Sequence, residues 1–160
     1  MTRKCTLSLL VNDNPGVLQR IAGLFGRRGY NMDSITVGAS EEEGTARVTI
    51  LLRGDARQAE QIGRQLMKLI DVLEVQELGP CSGVIGRELM LVKLQAGPAQ
   101  RPAVLAMAEG FRCAVVDAGP GSLILQAVGD KEKNDAFLRL AAAYGILEVT
   151  RTGETAMSRG

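Results

Sequence analysis

The spacing of apolar residues in this chain switches between two and three-to-four in the same order twice, and that order restricts the fold more than any single motif. Cys5, Leu7, Leu9 and Val11 alternate with Thr6, Ser8 and Leu10, which predicts a half-buried strand. Leu18, Ile21, Ala22 and Phe25 then recur at helical spacing, with Leu24 widening the stripe. Arg27 and Arg28 supply a basic last turn, and Gly29 a stop. Met32 to Ala39 and Thr45 to Leu52 are rich in Ile, Val and Thr and flank the polar run Ser40-Glu41-Glu42-Glu43-Gly44, the pattern of a hairpin. Asp55 followed by Gln58 has the form of a capping box, and Ala59, Ile62, Leu66, Leu69 and Ile70 make a second helical stripe. Val72 to Leu78 closes the unit as a strand.

Gly79-Pro80-Cys81-Ser82-Gly83 is rich in turn formers and loses periodicity, which marks a linker. A second pass follows. Arg87 to Leu94 reads as a strand and Pro102 to Glu109 as a short Ala-rich helix, entered through Gln100-Arg101 without a good capping side chain. Cys113 to Ala118 and Ser122 to Val128 form a hairpin around the tight turn Gly119-Pro120-Gly121. Lys131 to Tyr144 is a helix with Phe137, Leu138, Leu140 and Ala141 inward, and Ile146 to Arg151 is the closing strand. Strand, helix, strand, strand, helix, strand, read twice, predicts an α+β chain of two ferredoxin-like βαββαβ domains, each with two helices on one face of an antiparallel sheet. The expected boundaries are 1–78 and 87–160, joined by 79–86.

Composition narrows the chemistry. At 160 residues the chain is long enough to bury about two-thirds of its unfolded surface. A formal net charge of +1 and only 3% aromatic residues, none of them Trp, disfavour a nucleic-acid partner, which needs a basic surface or stacking platforms. The sequence has no histidine, so the commonest general base and transition-metal ligand are missing and most hydrolytic chemistry is disfavoured. No catalytic constellation is visible. Cys5, Cys81 and Cys113 are odd in number and widely spaced, which argues for reduced thiols, with Cys5 and Cys113 in the core. With no apolar run near the roughly 20 residues of a membrane span and no secretion signal, the chain reads as cytoplasmic, without a membrane partner. Glu41-Glu42-Glu43 reads as a solvated hairpin tip without metal-ligand spacing, so no metal site is expected.

Between the first strand and helix lies Asn12-Asp13-Asn14-Pro15-Gly16-Val17-Leu18. Pro15 suits a first helical position and Asn14 or Asp13 a cap. Gly16 has no side chain to block approach to the amides of Gly16 and Val17, so the turn predicts an anion seat suited to a carboxylate. The second half has no such turn. Each unit also exposes edge strands, which predicts homodimerisation. Edge-to-edge pairing of two first domains sets the turn of one chain against the second strand of the other.

Asn14-Pro15-Gly16-Val17-Leu18, Arg20-Ile21-Ala22-Gly23-Leu24-Phe25 and Arg27-Arg28-Gly29-Tyr30-Asn31-Met32-Asp33-Ser34-Ile35 together form an extended pattern. It continues through Gln65 to Leu73, Arg87-Glu88-Leu89-Met90-Leu91-Val92-Lys93, Asp135-Ala136-Phe137-Leu138 and Glu148 to Gly153. Over nearly its whole length the chain resembles the small regulatory subunits of acetolactate synthase (acetohydroxyacid synthase), whose first domain is an ACT amino-acid-sensing module. The resemblance implies an N-terminal ACT domain, a C-terminal ACT-like domain and no chemistry on this chain. It implies a catalytic large subunit as partner, carrying thiamine diphosphate, magnesium and FAD, so that no cofactor belongs here. The small subunit then activates that enzyme of branched-chain amino-acid biosynthesis and confers feedback inhibition by valine or a related amino acid.

Carried over by position, the effector carboxylate meets the amides near Gly16, Val17 and Leu18 in an ACT homodimer, and Asn31 and Met32 of the neighbouring chain add contacts. Asn14 belongs to the same turn. Asp13 stands where the family often has an asparagine that contacts the effector, and its charge suits the effector ammonium. Without the resemblance, Asn31 reads as a turn residue after Gly29-Tyr30. The rival reading is a free-standing ACT sensor that regulates a different enzyme or a transcription factor.

Overall fold

The computed structural model describes residues 3–79 and 83–160, and the linker residues Pro80, Cys81 and Ser82 lie outside them. The chain divides into two compact units, Met1–Ile85 with Glu154–Gly160, and Gly86–Gly153.

In the first unit β1 (Arg3–Asn12), β2 (Met32–Ala39), β3 (Thr45–Gly54) and β4 (Val72–Leu78) form an antiparallel sheet in the order β2-β3-β1-β4. Helices α1 (Val17–Arg28) and α2 (Ala56–Leu66) connect β1 to β2 and β3 to β4. The core lies between helices and sheet, where the alternating row Leu7, Leu9 and Val11 meets Ala46, Val48, Ile50 and Leu52 of β3. Burying each such Leu or Ile stabilises the fold by about 2 kcal/mol.

The α1 stripe differs from the periodicity reading. Val17, Ile21, Leu24 and Phe25 are buried, whereas Leu18 is 46% exposed and Ala22 faces solvent. The spacing i, i+4, i+7, i+8 starts one residue earlier than predicted, because the helix begins at Val17 and turns that side chain inward. Gly29 ends α1 in the left-handed region at φ 68°, with Tyr30 N–H closing on Phe25 C=O at 3.2 Å. The capping box on α2 is formed as read: Asp55 accepts from Gln58 N–H at 2.8 Å while Gln58 Oε1 accepts from Asp55 N–H at 3.0 Å. This helix stops at Leu66, so Leu69 and Ile70 are not helical. A tight turn follows, with Leu69 half-buried and Ile70 89% exposed.

The second unit repeats the plan with β5 (Val84–Gln95, whose first two residues, Val84 and Ile85, group with the first unit), α3 (Arg101–Gly110), β6 (Ala114–Ala118), β7 (Ser122–Gly129), α4 (Lys131–Ala141) and β8 (Ile146–Arg151), in the sheet order β6-β7-β5-β8. α4 ends three residues early in a 3-10 turn, Ala142–Tyr144, and Leu140 is 54% exposed rather than inward. Cys5 and Cys113 are half-buried at the margins of their cores.

The chain end departs from the sequence-based boundary. A short strand β9 (Thr155–Ser158) pairs with β5, Arg159 N–H reaching Gly83 C=O at 2.9 Å, and residues 154–160 group with the first unit. β9 also lies against β1, whose two edges are occupied by β3 and β4. Four residues with one buried apolar side chain, Ala156, give too short a pattern for periodicity to find.

Candidate functional site

The turn between β1 and α1 departs from an ordinary capped start. Gly16, not Asn14 or Asp13, is the N-cap, at φ 88° and ψ −5°, and no side chain caps the helix. Pro15 is therefore outside the helix, because the left-handed step at Gly16 breaks the path on which it would be the first helical residue. A Cβ built on Gly16 meets nothing within 4 Å, so the space above the turn is open.

The donors can be accounted for one by one. Asp13 N–H is taken by Gly44 C=O at 2.9 Å, Asn14 N–H by Asn12 C=O at 2.9 Å, and Val17 N–H by Asn14 C=O at 3.3 Å. Arg20 N–H makes the first helical bond, to Gly16 C=O at 3.0 Å. Among the described residues nothing takes the N–H groups of Gly16, Leu18 and Gln19. The donor set thus differs from the predicted one. Val17 is already engaged and its side chain is buried, and Gln19 replaces it. Partial positive charge at a helix start adds to these donors, so the turn can hold a carboxylate.

Two residues that periodicity did not single out hold the turn in place. Asp71, 7% exposed, accepts from Asn14 Nδ2 at 3.0 Å and from an Arg20 guanidinium nitrogen at 2.7 Å. Its carbonyl also accepts Asn12 N–H at 2.8 Å. The Asn14 side chain is therefore directed at Asp71 and does not cap α1. Asp71 lies 57 positions from Asn14 in sequence, beyond the reach of any local signal.

Asn31 and Met32 are not beside this turn. Met32 pairs with Leu52, and Arg53 N–H reaches Asn31 C=O at 3.5 Å, at one end of the sheet. Ala39 pairs with Ala46, and Asn12 with Thr45, at the other end. The length of β2, roughly 23 Å at about 3.3 Å per residue, separates the two groups within one chain. β2 is an edge strand with Val37 46% exposed, and an Arg53–Asp33 ion pair at 2.8 Å fixes the Asn31 end.

The family model for the AHAS small subunit-like ACT domain matches residues 7–74, and that for the small subunit of acetolactate synthase matches residues 87–160. A Methanothermobacter thermautotrophicus protein named "Probable acetolactate synthase small subunit" is 51% identical over 155 residues, 96% of this chain and 92% of that one. The chain belongs to the acetolactate synthase small-subunit family. The acetolactate synthase small subunit of Mycobacterium bovis is 43% identical over 97% of this chain and 92% of its own. The crystal structure of the small subunit from Thermotoga maritima superposes with a TM-score of 0.93 at 35% identity, covering 99% of this chain and 98% of that one.

In this small-subunit chain the two ferredoxin-like units are equipped differently. α3 is entered through Gln100 in a right-handed conformation, and Arg101 folds back onto Ala96 and Gly119 carbonyls. The second unit carries instead a polar network beneath α4. Glu88, 4% exposed, accepts from Asn134 Nδ2 at 3.1 Å and from Arg151 Nε at 2.8 Å. Arg151 also donates to Asp135 at 2.7 Å, and Lys131 donates to the same carboxylate at 2.8 Å. Burial alone raises the pKa of Asp135. Hydrogen bonds from Lys131 and Arg151 outweigh it and hold that carboxyl below the ordinary range. Its charges are internally matched, so the network reads as structural.

Proposed function

We propose that this chain is the regulatory subunit of an acetolactate synthase, that it activates a thiamine-diphosphate-dependent catalytic subunit, and that valine or another branched-chain amino acid binding to its ACT unit feeds back on that enzyme. The observation that carries the sensing role is the set of N–H groups at Gly16, Leu18 and Gln19 without partners among the described residues, beneath open space. The amino-acid carboxylate accepts from those amides. Asp13, exposed at the rim, faces the ammonium group, and the exposed Leu18 side chain supplies apolar contact.

Two copies complete the site. Antiparallel pairing of β2 edges places the Asn31 end of one strand against the Ala39 end of the other, which is the end that carries the Gly16 turn. Asn31 and Met32 of the neighbour then stand where a single chain cannot bring them.

A ligand of valine's size held by a few amides and a small apolar patch gains roughly 4 to 7 kcal/mol, a millimolar to ten-micromolar dissociation constant. That range suits sensing of a pathway product. Mixing the purified chain with an acetolactate synthase catalytic subunit and titrating valine tests the whole proposal. Stimulation, followed by inhibition as valine rises, is expected. Absence of association at low micromolar concentration points instead to a free-standing sensor.

A further inference from the structure

We propose that Asp71 is a positioning residue for the effector turn, setting the orientation of the N–H groups at Gly16, Leu18 and Gln19 through contacts to both limbs of the turn. The inference rests on the reading of that turn as the effector seat. Locally the turn is held by main-chain bonds, Asn14 N–H to Asn12 C=O and Val17 N–H to Asn14 C=O, without a side-chain cap on α1. Asp71 supplies what is missing from a distance. Its carbonyl takes Asn12 N–H at 2.8 Å before the turn, and one carboxylate oxygen takes Asn14 Nδ2 at 3.0 Å within it. The other oxygen takes Arg20 at 2.7 Å, in the first turn of α1. A contact to one limb alone leaves the other free to swing; these three fix the strand end, the turn and the helix start on one rigid residue.

Electrostatics point the same way. A lone carboxylate near the helix start opposes an incoming anion, but the Arg20 guanidinium neutralises Asp71, and both its oxygens are occupied. The seat therefore keeps its positive character while gaining an anchor. Preorganisation of this kind acts on affinity: if removing the clamp lowers the fraction of chains with the turn in its binding form to about one in ten, the apparent dissociation constant rises about tenfold.

The test uses the full-length chain and two measurements. Calorimetric titration with valine compares the parent chain with Asp71→Ala, Arg20→Ala and Arg20→Lys. Hydrogen exchange is compared in the same proteins without ligand at the Asn14, Val17 and Arg20 amides, which are bonded within the turn to the Asn12, Asn14 and Gly16 carbonyls and lose protection if the turn loosens. The inference expects about tenfold weaker binding and faster amide exchange in Asp71→Ala and Arg20→Ala, with recovery toward the parent value in Arg20→Lys. Arg20→Ala alters a side chain that is 56% exposed, so it reports even if Asp71→Ala does not fold. Parent-like affinity in the alanine variants overturns the role of Asp71 and leaves the seat standing. No binding by the parent chain overturns the seat, and unchanged exchange at the three amides overturns the clamp whether or not valine binds.

Discussion

Gly16 concentrates the functional argument in one backbone conformation. At φ 88° an L side chain is strained, by about 1 to 2 kcal/mol, yet a Cβ there touches nothing. Gly16→Ala and Gly16→Asp should therefore both lower stability modestly in urea denaturation. Only the aspartate adds a negative charge at the carboxylate seat, so it should abolish feedback by valine while stimulation of the catalytic subunit persists. An Asp variant that remains fully valine-sensitive counts against the seat. The Asn14-Pro15-Gly16-Val17-Leu18 run marks the turn in sequence, but not its bonding. Asn14 has the chemistry of a cap and is used elsewhere, because Asp71, distant in sequence, arrives beside it with a charged acceptor. Val17 looks available in sequence and is spent on Asn14 C=O.

At the scale of elements, periodicity finds β2 and β8 with the bounds that the structure gives and places the α2 cap, because each depends on side chains a few residues apart. It fails for Leu18, Leu140 and Ile70, where a shift of one residue or a helix stopping a turn early moves a side chain from core to solvent. Gly29 marks the end of α1 in sequence, whereas Met67 and Ala142, which close α2 and α4, are not residues that signal a stop. The polar network under α4 is likewise assembled from residues as far apart as Glu88 and Arg151. Removing one partner there leaves buried groups unpaired, and Arg151→Met should destabilise the chain by about 3 kcal/mol in urea denaturation at neutral pH. Asp135 gives the pH dependence. Its pKa in the folded chain is lowered, so its contribution is complete above the ordinary carboxylate range and is lost as pH falls through the folded-state value. The stability gap between the parent and Asp135→Asn should be open at pH 7 and close in acid. A gap that persists at low pH contradicts the assigned cause.

Across the whole molecule, the doubled strand and helix order is legible because two helical and four strand segments recur in sequence, whereas the return of β9 to the first unit is not. Within one chain the turn and Asn31 occupy opposite ends of one sheet, so the proposed effector site calls for a second copy of the first unit. Val37→Lys places a charge on the exposed β2 edge, a known deterrent to strand pairing. It should shift sedimentation toward monomer and weaken valine binding together. Monomerisation without loss of binding separates the site from the β2 edge. The most direct test is calorimetric titration of valine into the purified chain. Effector sensing at the Gly16 turn requires saturable binding with a dissociation constant between about ten micromolar and one millimolar, lost in Gly16→Asp. No heat of binding up to ten millimolar valine, or equal binding in Gly16→Asp, contradicts it.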